Sequence, residues 1–326
     1  MNILITGGAG FIGSHLIRHF VKSYPDYALI NLDALTYAAD LSRLDDIKGA
    51  PNYQFEKGNI NNATLLDSLF SKYSIEAVIH LAAESHVDRS IQGPVPFAET
   101  NIIGTMNLLN ACRAHWKKGT NHRFYYISTD EVYGSLGKEG FFTEQSPYQP
   151  RSPYAASKAS ADHLVRAYGE TYGLSYVISN CSNNYGPNQH SEKLIPTLLS
   201  CLQQNQPLPI YGDGLNVRDW LYVEDHVSAM DVIFHHGKFS ETYLVGGRCE
   251  QSNLDVAKTL CRAYDRRVGQ VLGTAEKLIT FVTDRPGHDF RYAIDPSKLE
   301  STLGWSPKTN WDKGIEKTMA TYLDKK

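Results

Sequence analysis

Through the first half of the chain, short apolar runs alternate with longer stretches whose apolar residues recur every three or four positions. Short runs bounded by turn residues read as strands, and the longer periodic stretches as helices with one apolar side. The predicted strands cover residues 2–6, 27–32, 53–56, 77–81, 124–128 and 175–180. The predicted helices cover 11–24, 63–72, 95–116, 153–172 and 192–203. Such alternation calls for a parallel sheet covered by helices on both sides. After Tyr185-Gly186-Pro187 it weakens, and turn signals multiply at Gln206-Pro207-Leu208-Pro209, Gly212-Asp213-Gly214, Gly246-Gly247 and Arg285-Pro286-Gly287. The expected fold is α/β in two parts. Residues 1–181 form a Rossmann-type, doubly wound parallel sheet, and 182–326 form a smaller mixed C-terminal lobe, with chain crossings between them.

Composition narrows the partners more than the fold. The 326 residues are 42% hydrophobic and 21% charged, with a formal net charge of −3. Nothing resembles the clustered basic excess that binds nucleic acid or an anionic membrane. No apolar run approaches the ~20 residues of a transmembrane helix. Asn2-Ile3-Leu4-Ile5-Thr6 runs straight into glycines, as a strand does and a signal peptide does not. The five cysteines are scattered, with no CxxC and no Cys/His pair at metal-ligand spacing. A soluble cytoplasmic protein with free thiols and no metal centre is expected.

Gly7-Gly8-Ala9-Gly10-Phe11-Ile12-Gly13 follows the first strand and opens the first helix. There Gly7 allows a tight turn, Gly10 lets backbone approach a pyrophosphate, and Gly13 lets helix and strand pack closely. The phosphates then face a helix N-terminus, whose free N–H groups and dipole favour anions. The spacing is GxxGxxG rather than GxGxxG. Asp33 ends the second strand, where a carboxylate accepts from ribose hydroxyls and repels a 2′-phosphate, favouring NAD over NADP. Asn59-Ile60 and Ala82-Ala83 follow the third and fourth strands, at the edge where such sheets bind ligands.

Two further stretches carry chemistry. Ser128-Thr129-Asp130-Glu131-Val132-Tyr133-Gly134 sets a hydroxyl and two carboxyls side by side where the fifth strand ends. Ser152-Pro153 is a helix start, serine as N-cap and proline at the first helical position. Tyr154 and Lys158 then share one face of that helix. A tyrosine is a poor base at neutral pH. A nearby ammonium and a positive nicotinamide ring would favour its phenolate. The same spacing at Tyr53–Lys57 lacks both the preceding strand end and the cap. A dinucleotide loop, a phenolate, an acid and a base imply oxidation, elimination and reduction in one site.

With these blocks in place the chain resembles the extended short-chain dehydrogenase/reductases and, among them, the dTDP-glucose 4,6-dehydratases. The resemblance runs from end to end. It includes Leu35-Thr36-Tyr37-Ala38, the stretch from His80 to Ser90, the Thr129-Asp130-Glu131 triplet and Asn180 to Pro187. It continues through Glu192-Lys193-Leu194-Ile195-Pro196, Arg218 to His226 and Asp284 to Asp289. It implies that Tyr154 takes the sugar 4-hydroxyl proton, beside Thr129 and supported by Lys158. Glu131 then removes the C5 proton, and Asp130 protonates the C6 hydroxyl that leaves as water. Those two carboxyls must hold opposite protonation states.

The resemblance also implies NAD contacts at Gly7, Gly10, Phe11, Ile12, Gly13, Asp33, Leu35, Thr36, Asn59, Ile60, Leu81, Ala82, Ala83, Thr100, Tyr154, Lys158 and Asn184. It places nucleotide-sugar contacts at Ser85, Thr129, Asn183, Lys193, Leu194, Pro209, Tyr211, Arg218, Asn253, Arg285 and His288. A homodimer joined through helices 95–116 and 153–172 is expected on the same basis. The alternatives are a UDP-sugar 4,6-dehydratase, a 4-epimerase, or a catalytically silent NAD-binding scaffold. Some positions depart from the family pattern. Ala34 replaces a customary lysine, Asn59 an aspartate, and Asn188-Gln189-His190-Ser191 is an atypical lead into the Glu192 block.

Overall fold

The first strand, β1 (Asn2–Thr6), shows why a sheet covered on both sides forms. Ile3 and Ile5 pack into one layer with Leu16, Ile17 and Phe20, while Leu4 packs into the other with Leu66, Phe70 and Leu108. Alternate side chains of a strand face opposite ways, so both faces are apolar only when both are buried. Each such side chain contributes about 1.5–3 kcal/mol.

The computed structural model describes residues 1–117 and 121–323. In chain order the remaining strands are β2 (Ala28–Asp33), β3 (Tyr53–Lys57), β4 (Ala77–His80), β5 (Arg123–Thr129) and β6 (Tyr176–Cys181). They continue with β7 (Asn183–Tyr185), β8 (Leu208–Tyr211), β9 (Val217–Tyr222), β10 (Glu241–Val245), β11 (Glu250–Ser252) and β12 (Ile279–Val282). Seven strands pair in the order β10-β6-β5-β4-β1-β2-β3, every pair parallel. The order reverses between β1 and β4, so their carboxyl ends part and leave a crevice, the usual ligand site of such sheets.

The smaller lobe is mixed, as expected. β9 lies between β7, parallel to it, and β11, antiparallel, while β8 and β12 form a separate parallel pair. Its own apolar core joins helices Leu194–Gln203, Asn253–Val268 and Trp311–Leu323 through Leu198, Leu199, Leu260 and Met319. The chain leaves the main sheet after β6 and re-enters it at β10.

Two predicted helices differ from the structure. Residues 95–116 are not one regular helix: a short α-turn Val95–Phe97 leads into a π-helical stretch Ala98–Gly104 and then helix Thr105–His115. The π stretch carries Asn101, whose buried amide bonds both backbone groups of Glu84 and the hydroxyl of Ser157. The helix expected from 192 begins at Leu194, because the side chains of Glu192 and Lys193 reach back instead. Glu192 accepts from Tyr37 at 3.0 Å, and Lys193 donates to the Ser85 carbonyl at 2.9 Å. Helix Val87–Gln92, too short and polar to show in the periodicity, follows β4. Among the described residues no helix is long and apolar enough to cross a membrane.

Candidate active site

A cleft of about 330 Å³ opens at the carboxyl ends of the main strands and extends toward the smaller lobe. Its floor is the glycine loop. Gly7 has φ +75, and a Cβ there would lie 2.7 Å from the Ala82 backbone. A Cβ on Gly13 would lie 2.2 Å from the Gly7 carbonyl oxygen, so helix Phe11–Ser23 approaches the loop only because residue 13 is a glycine. Gly10 is the N-cap and offers no side-chain cap, which leaves first-turn N–H groups free for an anion. Asp33 is buried beside them. Its Oδ2 accepts from Ala9 N at 2.9 Å and its Oδ1 from Leu35 N at 2.8 Å. Burial raises its pKa, and the two N–H bonds and Arg43 oppose that rise.

Most of the expected cofactor residues border this cleft: Phe11, Ile12, Thr36, Asn59, Ile60, Leu81, Ala83, Thr100 and Asn184 lie on its wall with the glycines and Asp33. Leu35 does not. It sits at φ 54, and its N–H is taken by Asp33. Asn59 turns its carbonyl oxygen to Asn61 N at 2.9 Å, closing the turn after β3. The cradle therefore fits a dinucleotide: a bare helix N-terminus for phosphates and a buried carboxylate at the end of β2.

The chemical groups meet on the opposite wall. Ser152 accepts from Ala155 N at 3.1 Å and Pro153 is the first residue of helix Pro153–Tyr172, which turns Tyr154 and Lys158 into the cleft. Lys158 donates to the Ile127 carbonyl at 2.8 Å and lies 4.2 Å from the centre of the Tyr126 ring. Burial pulls its pKa down to about 8, opposed by Asp162. The Thr129 hydroxyl sits beside the Tyr154 phenol. Sequence reasoning had a neighbouring ammonium lowering the tyrosine pKa. Within the protein, burial first and Glu131 second hold the Tyr154 proton on more firmly than usual, and Lys158 spends its strongest bond on a carbonyl.

The two adjacent carboxyls are unlike. Asp130 is 1% exposed, and its Oδ2 has no hydrogen-bond partner among the described residues. Burial, then Glu131 and Asp219, drive its pKa well above the usual carboxylate range. Glu131 is half-buried. Burial raises its pKa too, but Arg285, Lys193 and Arg218 all pull it back. The cations favour the charged form of one carboxyl, and the neighbouring charges favour the neutral form of the other.

Ser85, Asn183 and Lys193 border the cleft beside these groups. The other expected substrate residues lie beyond its lining, in the smaller lobe. Arg218, on β9, donates to the Val217 carbonyl at 2.7 Å and the Asp289 carbonyl at 3.0 Å, with its guanidinium 4.3 Å from the Tyr292 ring centre. Arg285 pairs with Asp88, and His288 bonds Asp284 at 2.7 Å with its ring edge toward Tyr211. Leu194 opens its helix and packs against the lobe core. Pro209 is exposed on β8, and Asn253 N bonds the Asn216 carbonyl at 3.0 Å.

Sequence reasoning assigned no role to Cys181, Ser182, Gln189, His190 or Glu192, which also border the cleft. Their signal was position: Cys181 and Ser182 lie at the carboxyl end of β6, and Gln189, His190 and Glu192 in the segment between β7 and the next helix. Cys181 is not a reactive thiol, since burial pushes its pKa up to about 12.

A dinucleotide cradle facing a Tyr/Lys pair and two unlike carboxyls defines a nucleotide-dependent α/β enzyme with acid–base chemistry. A family model described as GDP-mannose 4,6 dehydratase matches residues 4–318. A relative from Haemophilus influenzae named dTDP-glucose 4,6-dehydratase is 50% identical over 332 residues, 99% of this chain and 98% of its own. A solved dTDP-glucose 4,6-dehydratase of Streptomyces venezuelae with NAD bound has a TM-score of 0.92 and 41% identity, covering 100% of this chain and 98% of that one. A Thermotoga maritima UDP-glucose 4-epimerase superposes with a TM-score of 0.88 at 28% identity, covering 99% of each chain. The chain belongs to the dTDP-glucose 4,6-dehydratase family.

Proposed function

We propose that this enzyme dehydrates dTDP-glucose to the 4-keto-6-deoxy sugar with NAD as a recycled cofactor. The observation that carries the proposal is the placement of two adjacent carboxyls beside Thr129 and Tyr154 in unlike surroundings: Asp130 is buried with its pKa well above the usual range, while Glu131, also raised by burial, is pulled back by Arg285, Lys193 and Arg218. An epimerase exchanging hydrogen only at C4 has no use for that division. Bound NAD would accept hydrogen from sugar C4 as hydride and return it at C6. The glycine loop would hold its pyrophosphate and Asp33 its ribose. Tyr154 takes the proton of the 4-hydroxyl, with Thr129 bonded to the same oxygen; the positive nicotinamide and the Lys158 ammonium one turn along the helix would have to offset the burial that holds the Tyr154 proton within the protein. The resulting ketone acidifies C5, Glu131 removes that proton, and Asp130 gives its own to the departing C6 hydroxyl; a proton returns to C5 as hydride reaches C6, and the proton gained by Tyr154 balances the one Asp130 gave up. Lys193, Arg218 and Arg285 would neutralise the diphosphate, for which the arginine fork suits paired oxygens.

The test is the product. Incubation with dTDP-glucose should give a nucleotide sugar lighter by one water, and deuterium placed at C4 should be recovered at C6 of the same molecule. Crossover between labelled and unlabelled sugars, loss of label to solvent, or preferential turnover of UDP-glucose would reject the assignment. A second expectation follows from the cradle. Asp33→Ala should weaken NAD binding and narrow the preference over NADP, because the residue that repels a 2′-phosphate is gone. A wild-type enzyme that binds NADP more tightly than NAD contradicts this role for Asp33.

The finer expectations form part of the same proposal. Residues 182–326 supply the nucleotide side of the site. Two copies pair through the helical face around residues 95–116, where Val95 and Ile103 are 62% and 44% exposed. The five free cysteines fit a reducing cytoplasm.

A further inference from the structure

Three cations bear on Glu131, and they are held in different ways. Lys193 donates to a neutral carbonyl, that of Ser85, and Arg218 to the carbonyls of Val217 and Asp289. Arg285 alone of the three is bonded to a carboxylate. Its Nη1 donates to Asp88 Oδ1 at 3.1 Å. Asp88 belongs to helix Val87–Gln92 on the main lobe, and Arg285 to a loop of the smaller lobe. The other oxygen of the same carboxylate, Oδ2, accepts from the Tyr211 hydroxyl at 3.4 Å at the end of β8. One side chain thus ties two segments of the smaller lobe to a helix of the main lobe, a few residues beyond Ser85 on the cleft wall.

The bond to Asp88 uses one corner of the guanidinium. Among the described residues nothing bonds Arg285 Nε or Nη2. A planar fork held at one corner presents its other edge in a fixed direction, the arrangement suited to paired phosphate oxygens. Long side chains lose rotamer freedom when a ligand orders them, and ordering beforehand lowers that cost.

We propose that Asp88 is a positioning residue for nucleotide-sugar binding, holding Arg285 and Tyr211 so that the free guanidinium edge of Arg285 meets a phosphate. The inference rests on the substrate class proposed above. Asp88 itself touches neither sugar nor phosphate; it acts through the two side chains it anchors.

Steady-state kinetics and nucleotide binding test this in the full-length enzyme. Asp88→Ala should raise KM for dTDP-glucose and the dissociation constant of dTDP about ten-fold, with kcat changing by no more than about two-fold. Asp88→Asn keeps an acceptor of the same shape but loses the charge and should recover only part of the loss, whereas a purely steric defect would be recovered in full. In an Arg285→Gln background Asp88→Ala should cost much less, because the residue it positions is absent. Tighter dTDP binding by Asp88→Ala would overturn the proposal by making Asp88 a competitor of the phosphate. A fall in kcat at unchanged KM, or equal losses in both backgrounds, would overturn it as well. Wild-type affinities for dTDP, UDP and GDP are measured first. If only UDP or GDP binds, the dTDP-glucose assignment fails and the Asp88 comparison is made on that nucleotide; if none binds, this proposal fails too.

Discussion

Tyr154→Phe should form no reduced nicotinamide on addition of dTDP-glucose and should turn over ~10²–10⁴-fold more slowly than the wild type, the range lost with a positioned acid–base group. Tyr154 is 8% exposed, with its ring set edge-on to Phe97. Phenylalanine keeps that packing, so the variant loses the hydroxyl and little else. The first step then has no group to take the 4-hydroxyl proton: Thr129 is a weak base, and Lys158 is spent on the Ile127 carbonyl. KM for the sugar should change little, since the nucleotide contacts are elsewhere. Protein within ten-fold of wild-type rate would remove Tyr154 from the mechanism.

That tyrosine was legible from sequence because its signals were local. A strand end with Thr-Asp-Glu, a Ser-Pro cap and an i, i+4 pair all fall within one β-α unit. The main sheet was legible for a similar reason. Strands buried on both faces, such as Tyr176–Cys181, are unbroken apolar or small runs. The strands of the smaller lobe are another matter. Glu250–Ser252 and Asn183–Tyr185 are short and polar and exist through their pairing with β9, which periodicity cannot register. β10 joins the main sheet from the second half of the chain, and only its last three residues are buried. Propensity is a weak guide where tertiary pairing decides.

The same limit applied within the site. Asp88 lay inside a block that carried the family resemblance, yet its significance depends on Arg285, 197 residues away. The π-helical stretch was hidden too, because a helix of any pitch shows a similar apolar rhythm over one turn. What marks it is the buried amide of Asn101 reaching Glu84 and Ser157. Opposite protonation of Asp130 and Glu131 is an expectation drawn from the required chemistry. The unlike surroundings that bear on it, three cations acting on one carboxyl and Asp219 on the other, needed the fold.

Glu131→Gln tests that contrast directly and should stop the reaction midway. The amide has the shape of the carboxyl but cannot accept the C5 proton at neutral pH. In the proposed mechanism oxidation at C4 needs Tyr154, Thr129 and Lys158, all unchanged. Adding dTDP-glucose should therefore produce reduced nicotinamide that persists on the enzyme, with turnover lower by ~10²–10⁴-fold. The pH profile supplies a second signature. In the proposed mechanism Glu131 works as its carboxylate, the form present above its pKa, and that pKa is raised from the ordinary 4.5 by burial. Wild-type kcat/KM should fall as pH drops through the raised value, and the glutamine variant should lack that acid limb. In the proposed mechanism Asp130 works as its neutral acid, the form favoured by the burial and neighbouring charges that raise its pKa well above the usual range. Losing the Glu131 charge removes one cause of that elevation, but burial and Asp219 remain. A glutamine variant that turns over like the wild type, or that keeps the acid limb unshifted, would falsify the assignment of Glu131 as the C5 base.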